Sequence, residues 1–215
     1  MYKLFGTFIA AILVSAGLSN CMIQYSQPKS IDWNYRMASV VRIFSPDGSG
    51  SGWVLPDGRI VTADHVVKGN EQVKVELFNG QTFIADVAKE SDAADLAVIV
   101  PHDKTTKLPA GLPVCGHAPK YADQVWVLGE PLEFPWSISH GIVSNPNQKG
   151  QHELLGTDML QIDAAILPGN SGGPVLEESG CAVGVADEGV SSQVTPQVLV
   201  FAVTWQKLQA FLYGV

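Results

Sequence analysis

A succession of short, β-branched apolar runs, each closed within a few residues by a turn signal, limits what this chain can become more than any other feature. Met37 to Phe44 is such a run, with Arg42 its only charge. Gly48 to Gly52 alternates Gly with Ser and reads as a turn or bulge cluster. Trp53-Val-Leu and Arg59-Ile-Val-Thr62 flank Pro56-Asp-Gly58, the pattern of a hairpin. Gln72 to Phe78 alternates apolar and polar residues, Asn79-Gly80 supplies a hairpin turn, and Thr82 to Val87 is the return strand. Leu96 to Val100 is apolar throughout, as a fully buried strand is. Residues 101–120 hold four prolines and mark a boundary. The pattern then resumes at Gln124–Leu128, Ser137–Ser144, Met159–Ile162, Pro174–Leu176, Ala182–Ala186 and Val198–Val203. Only Trp205 to Tyr213 has helical spacing, with Leu208, Phe211 and Leu212 on one side. These signals predict an all-β barrel or sandwich in two halves with a terminal helix.

The chain has 215 residues, enough for one globular unit or two small barrels sharing an interface. A hydrophobic share of 46% against 16% charged residues excludes a disordered chain. The formal net charge of −8 and the lack of a basic run exclude a nucleic-acid partner, whose phosphates require Lys and Arg to neutralise them.

Lys3 followed by the uncharged run Leu4–Leu18 predicts a secretory signal over residues 1–20. The run is shorter than the ~20 residues of a membrane span, although an uncleaved anchor is the alternative. Leu18-Ser-Asn-Cys21 resembles a bacterial lipobox. In that reading Cys21 is lipidated, residues 21–35 are a tether, and the domain over 36–215 is exported to the cell envelope, periplasmic or held at a membrane by lipid. Cys115 and Cys181 remain as either a disulfide or two buried thiols. No Cys or His spacing suggests a metal site, and no cofactor is expected.

The chemistry concentrates in Gly169-Asn-Ser171-Gly-Gly-Pro174. A nucleophilic serine needs an exposed Oγ on a tight turn, and backbone N–H groups aimed where an oxyanion forms. The N–H groups of Gly169 and Ser171 are the expected donors. Upstream, Ile60-Val-Thr-Ala-Asp-His65 places a proton-transferring imidazole after a strand. Asp95 opens the buried run Leu96–Val100, where a charge persists only if paired; a carboxylate there can hold an imidazole in its useful tautomer. Asp64 adjoins His65, but neighbours on a strand end point apart, so Asp95 is the expected partner. Asp163 is expected to orient the serine loop through hydrogen bonds.

The order His65, Asp95, Ser171 is that of trypsin-like proteases, not of α/β-hydrolases or subtilisins. Gly50-Ser-Gly-Trp53, Val61-Thr-Ala-Asp-His65, Asp95-Leu-Ala-Val98, Gly141-Ile-Val-Ser144 and Asp163-Ala-Ala-Ile-Leu-Pro-Gly-Asn-Ser-Gly-Gly173 resemble the protease domain of HtrA/Deg-type serine endopeptidases. The resemblance spans roughly residues 36–212 and carries no PDZ domain. It implies two perpendicular six-stranded antiparallel β-barrels, about 36–110 and 120–204, with a C-terminal helix about 205–213 and the site in the cleft between barrels. It implies protein or peptide substrates cleaved through an acyl-enzyme, and a pocket lined by Ile166, Phe201 and Val203 that suits small or medium apolar residues. Two departures stand out. Glu130-Pro131 replaces the usual Asn-Pro. Asn170 precedes the serine where digestive enzymes use Asp to receive a new N-terminus, so activation by N-terminal cleavage is not expected. A catalytically silent binding module and an esterase are the competing readings.

Overall fold

A computed structural model describes residues 31–149, 158–191 and 198–214. The expected signal segment, Cys21, most of the tether and His152 lie outside the described residues. Residues Ile31–Val215 form a compact unit of their own.

That unit is built on two closed six-stranded barrels. The first joins β1 (Val40–Ser45), β2 (Gly48–Val54), β3 (Ile60–Thr62), β4 (Gln72–Leu77), β5 (Thr82–Ser91) and β6 (Leu96–Pro101) in the order β1-β2-β3-β6-β5-β4. The second joins β7 (Gln124–Gly129), β8 (Ser137–Gln148), β9 (Met159–Ile162), β10 (Pro174–Glu177), β11 (Ala182–Ser191) and β12 (Val198–Thr204) in the order β10-β11-β12-β9-β8-β7. All pairings within the barrels are antiparallel. Closure leaves no free sheet edge.

Alternation along the strands sorts side chains into three apolar clusters. Val41, Ile43, Ile60, Val73, Val75 and Ile99 fill barrel one. Val125, Val127, Val143, Leu160, Ile162 and Val175 fill barrel two. A third cluster takes Trp53, Val61 and Leu96 from barrel one, Leu128, Leu176 and Val203 from barrel two, and Leu208, Phe211 and Leu212 from a helix, α3 (Trp205–Tyr213). Trp53, Leu96, Leu128 and Leu176 are fully buried there, each contributing about 1.5–3 kcal/mol by burial. This seam unites the barrels and fixes the geometry of any site between them. α3 starts where the Thr204 side chain accepts from Lys207 N, and ends at Gly214 in a left-handed conformation.

The expected hairpins are present. β2 and β3 pair Trp53 with Val61 across the Pro-Asp-Gly turn. β4 and β5 are joined through Gly80, whose φ of 81° sits in the left-handed region that a hairpin loop of this length needs.

Elsewhere the elements differ from the sequence reading. Gly48–Gly52 is strand rather than turn: it pairs along β1 from Ser45–Gly48 to Val41–Gly52. Its glycines permit close approach, since a Cβ on Gly52 would lie 2.7 Å from the Val61 carbonyl oxygen. Met37 and Ala38 belong not to a strand but to a short helix, α1 (Trp33–Ala38), which reaches into the expected tether. Asp32 caps α1 by accepting from Tyr35 N at 3.0 Å, and Arg36 docks it by donating to the carbonyls of Ser179 and Gly180, both at 2.7 Å. Six residues are too few to show a helical period. A second short helix, α2 (Asp64–Val67), carries His65 where a strand end was expected. No helix among the described residues is long and apolar enough to cross a membrane.

Candidate active site

His65 lies in α2, packed over barrel one by Val66 and Val67. Asp95 follows a 3-10 turn, Asp92–Ala94, and immediately precedes β6. Its φ of 48° and ψ of 51° place it in the left-handed region, a conformation Asp tolerates better than most residues. That turn aims the carboxylate at α2. Asp95 Oδ2 lies 2.8 Å from His65 Nδ1, and Oδ1 accepts from His65 N at 3.0 Å. One carboxylate therefore grips both the ring and the backbone of the histidine. Burial pushes the Asp95 carboxyl upward, but the hydrogen bond and charge of His65 outweigh it and hold the group below the usual carboxylate range.

Asp64 is buried and takes no part in this pairing. Successive residues on a helix point about 100° apart, so the preference for Asp95 holds although the geometry is helical rather than extended. Burial, aided by the nearby negative charges of Glu90 and Asp95, pushes the Asp64 carboxyl upward.

Ser171 lies in the loop between β9 and β10 of barrel two. Glycines flank it because no other residue fits. Gly169 and Gly172 have φ of 98° and 86°. A Cβ on Gly172 would collide with the Ser51 carbonyl oxygen, and one on Gly173 with that of Leu128. Asp163 accepts from Ile142 N of β8 at 2.5 Å, so its side chain ties the incoming segment to β8 rather than to the serine turn the sequence reading expected it to orient. Barrel one meets the loop directly: Ser51 N donates to the Ser171 carbonyl at 2.8 Å, and Ser51 Oγ donates to that of Gly169 at 2.7 Å.

The amides of Asn170 and Gly173 donate to carbonyls within the loop, those of Leu167 and Asn170, and that of Gly172 donates to the Ala186 carbonyl on β11. Among the described residues no carbonyl accepts from the amides of Gly169 or Ser171. Those two donors are left for an outside acceptor. The Pro168 carbonyl accepts from Leu132 N at 2.7 Å, and because the peptide is trans, this turns the Gly169 N–H the opposite way.

Ser171 Oγ donates to the backbone carbonyl of Asp187 at 2.8 Å. Asp187 is the residue that sequence reasoning missed. It sits at a register shift in β11 between Ala186 and Gly189, and its carboxylate joins His65 and Asp95 in a group whose ligand-capable atoms lie within 4.8 Å of one another. Two carboxylates and an imidazole are a donor set for a divalent cation, but His65 Nδ1 and Asp95 Oδ2 already face each other in a hydrogen bond. An Asp-Glu pair closing the apolar run Ala182–Ala186 was the available signal.

The expected pocket residues are all buried. Ile166 packs inside barrel two. Val203 packs in the seam under α3, and Phe201 lies on β12 opposite Gln161. Cys115 and Cys181 form a disulfide with Cα atoms 4.9 Å apart, which settles the alternative left open by the sequence. His102, His117 and His140 contact Asp86, Glu177 and Gln124 respectively, so these are structural or surface histidines. An open depression of about 590 Å³ lined by Thr82, Ile84, His102 and Lys107 lies on barrel one and includes none of the three site residues.

The trypsin-like peptidase domain matches residues 50–185. Protease Do-like 1 of the Arabidopsis thaliana chloroplast is 34% identical over 147 residues, covering 65% of this chain and 33% of that protein. Serine protease HTRA1A of Danio rerio is 36% identical over 169 residues, covering 76% and 34%. The chain thus spans about a third of the length of these relatives. The Rv3671c protease of M. tuberculosis, solved in an inactive form, superposes with a TM-score of 0.69 at 23% identity over 85% of this chain and 91% of that one, which shows the shared fold. The likeness covers the span that carries His65, Asp95 and Ser171, and it is at the level of the domain that this chain belongs to the trypsin-like peptidase family.

Proposed function

We propose that the protein is a serine endopeptidase that hydrolyses peptide bonds through an acyl-enzyme. The observation that carries this reading is the two-point grip of Asp95 on His65 beside Asp187, the residue whose backbone carbonyl accepts from Ser171 Oγ. Catalysis begins when the Ser171 hydroxyl turns its proton from the Asp187 carbonyl towards the imidazole. Ser171 Oγ attacks the scissile carbonyl, and His65 takes the proton and delivers it to the leaving amine. Asp95 holds the ring and stabilises the imidazolium. The N–H groups of Gly169 and Ser171 receive the developing oxyanion. A water then repeats the sequence and frees the acid. The chemistry draws on no metal or cofactor.

The relatives named as serine proteases support protein or peptide substrates. Ile166 and Phe201 suit an apolar residue before the cut. The disulfide supports an exported protein, since such bonds persist in oxidising compartments. In this reading Cys21 holds the domain at the cell envelope by lipid. Casein cleavage by the wild type and by Ser171→Ala tests the reading: loss of cleavage in a folded Ser171→Ala variant is expected, and equal cleavage by both proteins rejects it.

A further inference from the structure

Gly169 is surrounded by the residues that follow β7. Leu132 N donates to the Pro168 carbonyl on one side of it. On the other, Glu130 N donates at 3.0 Å to Ser51 Oγ, which donates to the Gly169 carbonyl. Between them, the Glu130 carbonyl oxygen occupies the place a Gly169 Cβ would need. The orientation of the Pro168–Gly169 peptide, and so of one of the two unpartnered amides, depends on where Glu130 sits.

Glu130 is held by a charge from the other barrel. Its side chain is only 1% exposed, and an ionised carboxylate so buried persists only if paired. The partner is Arg42. Val41 and Ile43 point into barrel one, so alternation turns Arg42 outward toward barrel two. Its Nε donates to Glu130 Oε2 at 2.5 Å and its Nη2 to Oε1 at 2.7 Å, a two-pronged geometry that fixes angle as well as distance. Glu76 on β4 accepts from Arg42 Nη1 at 2.9 Å and steadies the guanidinium from behind. The segment beyond Glu130 needs holding: Leu132, Glu133 and Trp136 have φ of 51°, 65° and 62°, which non-glycine residues adopt only under constraint.

We propose that Arg42 and Glu130 form an inter-barrel charge clamp that keeps the Pro168–Gly169 peptide oriented for oxyanion binding, so that both are positioning residues for the reaction. A plain staple between barrels would need only the two side chains. Here the backbone of the clamped residue reaches the oxyanion loop, so releasing the clamp frees that loop. The proposal rests on the serine-protease reading above.

The test compares the full chain with its Glu130→Gln and Arg42→Lys variants. For a peptide found among the casein cleavage products, kcat and KM are measured, together with the affinity of the boronate analogue of that peptide, which mimics the tetrahedral adduct. Glu130→Gln is expected to lower kcat at least about tenfold with KM within about threefold, and to weaken boronate binding in step with kcat/KM. Arg42→Lys keeps the charge and loses the fork, and is expected to act in the same direction with smaller size. It decides the matter if Glu130→Gln does not fold. Folded variants that melt at lower temperature but keep wild-type kcat and boronate affinity overturn the clamp alone. A folded wild type that neither cleaves casein nor is labelled by a fluorophosphonate overturns the protease reading and the clamp with it.

Discussion

At the scale of single residues, the site is a problem of keeping a carboxylate charged and a second one out of the way. Asp95 is partly buried, yet His65 holds its carboxyl below the usual range. A group with a depressed folded value contributes stability that is complete above its unfolded value, about 3.9, and is lost as pH falls through the folded value. Asp95→Asn therefore flattens the acid side of the stability profile below about pH 4, which urea titrations at several pH values will register. The same change lowers kcat on the order of 10⁴-fold, because an amide no longer fixes the imidazole tautomer. Asp64 behaves oppositely. Its carboxyl is raised by burial and by neighbouring acids, so its ionisation works against folding at neutral pH. Asp64→Asn is expected to raise the melting temperature at pH 7, and the gain is expected to vanish as pH falls towards the unfolded value of about 3.9. A gain that persisted at pH 3 would contradict this account of Asp64.

At the scale of elements, β2 is the strand that couples barrel one to the serine loop. Its amide at Ser51 and hydroxyl at the same residue both end on that loop. The glycines make the contact: a Cβ at Gly50 would lie 2.7 Å from Val66 Cγ2 and 3.1 Å from the Ser171 carbonyl oxygen. Gly50→Ala is therefore expected to cost about 1–3 kcal/mol of stability by overpacking and to lower kcat, as read by chemical denaturation and peptide hydrolysis. This strand also shows why sequence was an incomplete guide. Alternating Gly and Ser has the composition of a turn, and only the close approach of Val61, Val66 and Ser171 explains why it is a strand. β4 was legible because its burial alternates residue by residue, and β12 because its sequence is an unbroken apolar run from Val198 to Val203. α2 was not, because four residues carry no period.

At the scale of the whole molecule, the barrels share one apolar seam, and the site sits where their loops meet. The motifs around His65, Asp95 and Ser171 were readable because each is local in sequence. The group that surrounds them was not: Arg42 and Glu130 are 88 residues apart, and nothing in either local stretch announces the other. Asp187 was hidden in the same way, since its nearness to the imidazole arises from a bulge in β11. The Cys115–Cys181 disulfide acts at this scale too, closing a loop of 66 residues that carries β7, β8, β9 and β10. Replacing both cysteines by Ala is expected to lower unfolding free energy by up to about 4 kcal/mol if chain entropy dominates, a shift a denaturant midpoint will report.

The central claim is that Ser171 is an activated nucleophile. The most direct measurement is to treat the folded chain with a fluorophosphonate, digest it, and locate the adduct by mass spectrometry. The account predicts a single phosphonyl group on Ser171 Oγ, absent when His65 is replaced by Ala. A folded protein that remains unlabelled, or one labelled on another residue and equally in the His65→Ala variant, would contradict it.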